Sequence, residues 1–570
     1  MGPYNSPRTT QLCITPMPQE SNSLISEIDQ EVPQYKIDDS QESLIPPERP
    51  QSTPFPVQDV KIQNIQCSHR FFNSEVTSDV STQKATKSKL ATQSALLSNL
   101  PSEIHEYILD YLLGIRSSPL DVSSGGNSIF VRSWGKSIGS TLRHSRRFEV
   151  SQLALVSRRW RHLIQERLYR HLKIRGTRHY IKDAIDWFEN HSHLKSYIRH
   201  IDIWFPVFQQ KNITLDPTLH VLSKVSDRSY SNFSANNVGS SLTATYRLLS
   251  ENSTLEEVLS FIQTTFSKIF ILTLEGGERR KPPKVRYFQH SQNQRKLPIL
   301  PTIRTFICKG QWNIIRSDSD FQSLASAFPN LKEWHASYAR PKSKSYLSMA
   351  TILLKLPQSL TNLNICLEAD YRCEAFTPEY AKKVSRKIHF CIMMARAVPS
   401  LEHLAYTGRV CHDFFNKAAL LSNPRESRLK TVDIVVKNIC RSNLPGTGWG
   451  DGSNISDMKF ITAFEKLVVS ATGSLGRLTA LESLRIRFID IESKIPNLNP
   501  YFQFSKNQCT GIWSEEIVES LFKNRPAAFF AENPEMLGHL RSGYGSFPKA
   551  RPKCISISEY ADLANGIIAT

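Results

Sequence analysis

The sequence predicts an α/β chain in which a disordered N-terminal tail precedes a small helical module and then an irregular solenoid-like array of strands and helices. Three observations predict it. Residues 1–95 are rich in Ser, Gln, Pro and Thr and show little apolar periodicity. Two separated segments, one opening at Leu100 and one at Leu153, carry apolar residues at helical spacing. Beyond them an apolar triplet with steps of three and then two recurs along the chain, as Ile303/Phe306/Cys308 and Leu331/Trp334/Ala336 illustrate.

The tail, residues 1–95, holds 8 Lys/Arg against 11 Asp/Glu and so carries −3 of a chain whose formal charge is +19. Its Ser6-Pro7, Thr15-Pro16 and Thr53-Pro54 pairs suit proline-directed phosphorylation and are equally ordinary in a disordered segment.

The helical module is expected over 96–175. Ile104, Ile108 and Leu112 recur every fourth residue and line one helix face. Pro101 fits a first turn, where its missing N–H costs nothing, and Glu103 suits the positive end of the helix dipole. Leu153, Val156, Trp160 and Leu163 follow at steps of three and four, again one face. Two short helices that open on Leu100-Pro101-Ser102-Glu103-Ile104 and close on Val156-Ser157-Arg158-Arg159-Trp160 resemble an F-box. The resemblance implies docking on a Skp-family adaptor, and through it on a cullin-based ubiquitin ligase. It makes Leu100, Pro101, Ile104, Ile108, Leu112, Leu153, Val156 and Trp160 the adaptor-binding residues. Trp160 has a second option, the module's own core. The family joins its halves by a short link, whereas here an inserted loop is expected at about 114–148. Loop closure grows only slowly with length, so the excursion is tolerable.

The array is expected over 176–570. Triplets start at Ile198, Ile269, Ile303, Leu331, Leu360, Leu401, Leu429 and Leu481, with spacings from Ile303 onward of 28, 29, 41, 28 and 52 residues. Helix-like segments lie between them, at 321–328, 345–356 and 377–398. Thr377, Pro378 and Glu379 open the last as cap, first-turn proline and dipole acid. A strand, a crossover and a helix repeating near 28 residues resembles a leucine-rich repeat solenoid, whose units run ~20–29 residues. The Asn or Cys expected eight positions after the first apolar residue is replaced by Gln311, Ala339, Glu368, Arg409, Lys437 and Ile489, so the repeats are degenerate. Because strand side chains alternate, His200, Asp202, Thr305, Ile307, Glu333, His335, Asn362, Asn364, His403, Ala405, Thr431, Asp433, Ser483 and Arg485 are expected on one exposed sheet face. Of these, His200, Asp202, Glu333, His335, Asn362, Asn364, His403, Thr431, Asp433 and Arg485 are the candidate target-binding residues.

Chemistry is sparse. The ten cysteines form no CxxC pair and no Cys/His cluster at zinc spacing, so neither metal ligands nor cofactors are assigned and the thiols are expected reduced. Gly446–Gly452 departs from the dinucleotide and phosphate-loop patterns. Cys411-His412-Asp413 reads as a loop, since adjacent residues rarely converge on one reacting atom. No run of ~18 apolar residues occurs, which argues against a membrane span. The F-box and repeat resemblances imply a non-catalytic receptor subunit, expected in cytoplasm or nucleus, which holds an unidentified protein target near the ligase. Two alternatives are an F-box-like scaffold uncoupled from a ligase, and a basic nucleic-acid-associated protein. The second rests on charge alone, without the aromatic and basic interleaving of a single-strand platform.

Overall fold

The computed structural model describes residues 100–113, 151–206, 251–277, 283–289, 296–338, 343–369, 383–384, 386–440, 455–493, 495–531 and 553–560. The tail, the inserted loop at 114–148, Thr377 and the Gly446–Gly452 loop lie outside these residues.

Each apolar triplet becomes a loop-to-strand entry followed by a short strand. The strands are β1 (His171–Arg175), β2 (His200–Trp204), β3 (Ile271–Glu275), β4 (Thr305–Lys309), β5 (Glu333–Ser337), β6 (Asn362–Cys366), β7 (His403–Arg409), β8 (Thr431–Asn438) and β9 (Ser483–Phe488). All nine pair in chain order and in parallel. The register aligns like with like. Ile201, Leu272, Phe306, Trp334, Leu363, Leu404, Val432 and Leu484 form one row, and Ile203, Leu274, Cys308, Ala336, Ile365, Tyr406, Ile434 and Ile486 another. Both rows are buried, as are the leading residues of every triplet from Ile198 to Leu481. Alternation sends these rows to one face, where helices cover them in a single continuous core.

The far end changes direction. β10 (Tyr501–Ser505) runs antiparallel to β9 and to β11 (Gln508–Trp513), while β12 (Phe529–Phe530) and β13 (Cys554–Ser556) each pair parallel with β11. Lys506 and Asn507, at φ 51° and 64°, make the two-residue turn between β10 and β11. The result is a 13-stranded, mostly parallel mixed α/β sheet.

The described helices of eight or more residues are α1 (Ser102–Leu113), α2 (Arg158–Tyr169), α3 (Arg178–Asn190), α4 (Leu255–Thr265), α5 (Asp318–Ala327), α6 (Ser343–Leu353), α7 (Phe390–Ala397), α8 (Asp413–Leu421), α9 (Met458–Ser474) and α10 (Glu515–Asn524). Their starts are chemically marked. Thr254 and Glu257 form a reciprocal capping box at α4, as do Ser317 and Asp320 at α5. The helix expected over 377–398 is helical in its C-terminal part, from Phe390. No helix among the described residues is long and apolar enough to cross a membrane.

Core residues and strand ends differ in what a substitution does. Trp334 is fully buried with its ring 4.4 Å from that of Phe321; Trp334→Ala is expected to cost about 3–5 kcal/mol, read from the denaturant midpoint. Burial holds the His403 imidazole below its ordinary value. The unfolded chain therefore takes up this proton first, so its stabilising contribution is intact above about pH 6.5 and falls as pH drops below it. His403→Gln should flatten that part of the stability-versus-pH curve, and an unchanged slope would refute the assignment.

Candidate functional site

In the helical module, His105 and Leu109 lie one turn apart on the inner face of α1 and meet Trp160, Leu163 and Ile164 of α2. The indole N–H of Trp160 donates to His105 Nδ1 at 3.0 Å, which fixes that imidazole's proton on Nε2. Arg159 donates to the Leu100 carbonyl at 2.5 Å and ties the entry of α1 to α2. Trp160 thus belongs to the module's own core. The second segment is not one continuous helix. Residues 151–153 make a helical turn, and Ser157 then caps α2 by accepting from the Trp160 N–H at 3.1 Å. That interruption takes Val156 out of the Trp160 stripe and leaves it 64% exposed, beside Leu155 at 72%.

The outer face of α1 carries Ile104, Tyr107 and Tyr111 at steps of three and four, the two tyrosines 74% and 89% exposed. Of the adaptor-binding residues expected from sequence, Pro101, Ile104 and Val156 are exposed. Leu100, Ile108 and Leu153 are half-buried, and the Leu112 side chain lies outside the described residues. Tyr107 and Tyr111 are missed by a leucine-and-isoleucine stripe, although the same spacing holds them.

The predicted sheet face is the correct face but is largely not exposed. His200, Asp202, Glu333, His335, Asn362 and Asp433 are buried, and Asn364, His403, Thr431 and Arg485 are half-buried. Parallel strands about 4.8 Å apart stack equivalent residues directly on one another, and here the stacks are closed by hydrogen bonds. His171 and His200 share one at 2.6 Å, and His200 Nε2 shares another with Thr273 at 2.8 Å. Thr305 donates to Glu333, whose other oxygen meets His335 Nε2 at 2.9 Å. His403 pairs with Thr431, and Arg485 grips Asp433 through both oxygens with Arg487 behind it. These pairs hydrogen-bond along the sheet, while His335 Nδ1 is buried without a hydrogen bond.

A third assembly gathers at the C-terminal ends of β6–β8. Tyr346 donates to the buried Glu368 at 2.6 Å, and Arg409 Nε donates to the same oxygen at 3.2 Å. Gly408 makes room for this network, since a Cβ there would stand 2.4 Å from the Tyr406 hydroxyl, which donates to the Arg409 carbonyl. Immediately beyond it His389, Cys391, Cys411 and Cys440 converge, with one donor atom from each lying within 4.8 Å of all the others. His389 Nε2 is 3.2 Å from Cys411 Sγ and 3.5 Å from Cys440 Sγ, and the Cys391 and Cys440 sulfurs are 3.4 Å apart. Burial pushes the Cys391 thiol well above its ordinary range, whereas hydrogen bonds from Cys391 and Cys440 pull that of Cys411 down.

The sequence shows no Cys/His cluster at zinc spacing, and the fold assembles this one. Its donors come from three different connections, so no local spacing announces them. One signal was available: Cys411 and Cys440 follow the triplets at Leu401 and Leu429 at nearly the same distance. Cys411 meets His389 rather than its neighbour His412, whose Nε2 lies 3.4 Å from Asp413. Asp413 approaches the same His389 nitrogen, at 3.6 Å, as Cys411 does. A catalytic triad needs the acid on the opposite ring nitrogen, and here two thiols, of Cys411 and Cys440, share the same imidazole nitrogen.

Neither a family model nor a curated protein matches the chain. The geometry of the helical module yields a direct expectation. Trp160→Ala should free α1 from α2, with hydrogen exchange across residues 102–113 rising to the unprotected rate. Val156→Ala, at an exposed site, should leave that protection unchanged.

Proposed function

We propose that the chain is a non-catalytic, substrate-recognition subunit of a Skp/cullin/F-box ubiquitin ligase. The observation that carries the reading is the two-sided chemistry of α1. Its inner face is fixed by Leu109 and the Trp160–His105 bond, while its outer face offers Ile104, Tyr107 and Tyr111 to a partner. Fully burying one such side chain contributes about 1.5–3 kcal/mol, so a few of them suffice for an adaptor contact, with Pro101 and Val156 extending it.

The region from residue 176 on is read as an irregular leucine-rich-repeat-like solenoid that holds the target. In-order parallel pairing and the buried triplets support this reading. Burial narrows the target-reading residues to the half-buried positions Asn364, His403, Thr431 and Arg485, of which the last three also hydrogen-bond along the sheet. The chain's part in catalysis is proximity: it holds a target beside a charged ubiquitin carrier supplied by other subunits.

Co-purification of the full chain with a Skp-type adaptor tests the reading. Stoichiometric capture is expected, and an Ile104→Asp/Val156→Asp variant should lose it at least tenfold while keeping its circular dichroism and melting midpoint, because both residues are exposed. Failure of the intact chain to capture the adaptor, or capture indifferent to the two charges, would refute it.

A further inference from the structure

We propose that His389, Cys391, Cys411 and Cys440 form a closed, structural zinc site of Cys3His composition, independent of any ligase role. The donor set is three soft sulfurs and one imidazole nitrogen, the chemistry that selects Zn²⁺ over hard cations. With Zn–S near 2.3 Å and Zn–N near 2.0–2.1 Å, tetrahedral angles place donors about 3.5–3.8 Å apart. The closest approaches here, 3.2, 3.4 and 3.5 Å, are slightly tighter, with the remaining pairs within 4.8 Å, so small side-chain shifts bring the four onto one ion. The 3.4 Å between Cys391 and Cys440 is far outside a disulfide bond of about 2.05 Å, and none of the three cysteines is in a disulfide.

Backbone geometry puts the donors there. β7 and β8 align Arg409 with Asn438, so Cys411 and Cys440, two residues further on each chain, leave the sheet side by side. His389 and Cys391 bracket the first residue of α7, whose N-terminus lies beside these strand ends. The Cys411 N–H donates to Cys391 Sγ at 3.3 Å, the kind of backbone contact that offsets thiolate charge around a metal. All three cysteines are buried and the His389 side chain is 11% exposed. Four protein donors in a buried place leave no open position for substrate, so the ion acts as a staple joining α7, β7 and β8. Asp413, 42% exposed and 3.6 Å from Cys411 Sγ, borders the site from outside. Binding releases the three thiol protons to solvent and leaves Zn²⁺ with three thiolates and a neutral imidazole.

The full chain, purified under reducing conditions without chelator, should contain one zinc per molecule by plasma mass spectrometry. A Cys391→Ser/Cys440→Ser variant should contain none. Because that variant risks misfolding, Co²⁺ exchanged into the wild-type chain gives a second readout. Tetrahedral d–d bands and thiolate-to-cobalt charge transfer are expected, and His389→Cys should retain the metal with a stronger charge-transfer band. Metal-free, folded protein whose three thiols all react with a disulfide reagent would overturn the proposal. So would a Cys391–Cys440 disulfide found by peptide mass spectrometry, or an octahedral cobalt spectrum.

Discussion

The in-register parallel pairing of β1 to β9 is the constraint on which the remaining structure depends. Each strand is only five to eight residues long, too short to bury much surface alone. Repetition of the same apolar triplet, whatever the length of the connection, lets its residues sit on their equivalents in the neighbouring strand, and the buried rows then extend along the sheet. Register is strongly specified here because a one-residue slip would turn each apolar row to the opposite face. The helices follow from that constraint: they cover the apolar rows and return the chain to the next strand in the same direction.

The same register explains why much of the polar face is hydrogen-bonded within the sheet. When equivalent positions stack, a buried carboxylate such as Glu333 or Asp433 meets the residues at the matching positions before and after it. Thr305 and Arg485 occupy those positions. A buried charge without such a partner costs several kcal/mol. Composition along the rows is therefore constrained by neighbours as well as by any ligand, and a polar residue on this face is weak grounds for assigning recognition.

Apolar triplets were legible in the sequence because alternation is a local property: Phe306 and Cys308 reveal their direction from three neighbouring letters. Exposure was not, since it depends on what stands 4.8 Å away on another strand, and His200 meets His171 and Thr273 from distant parts of the chain. In the helical module the spacing of Leu153, Val156, Trp160 and Leu163 predicts one face. Ser157, an ordinary cap residue, breaks that stripe and sends Val156 outward while Trp160 turns inward. Spacing alone does not register a cap that interrupts a pattern.

The thiol cluster shows how a small backbone irregularity assembles chemistry that sequence spacing conceals. Along most of β7 and β8 the offset between paired residues is 28, as in Gly408 with Val436; the shift between Gly408 and Arg409 then skips Lys437 and pairs Arg409 with Asn438. Without that skip, Cys411 would face Ile439 and Cys440 would turn to the other side of the chain. With it, the two cysteines emerge as equivalents, and α7 delivers His389 and Cys391 to the same point. Bulges re-aim side chains where a sheet meets a site, and this one sits at Arg409, the partner of the buried Glu368, two residues before Cys411. The irregularity in register and the convergence of donors have a single geometric cause.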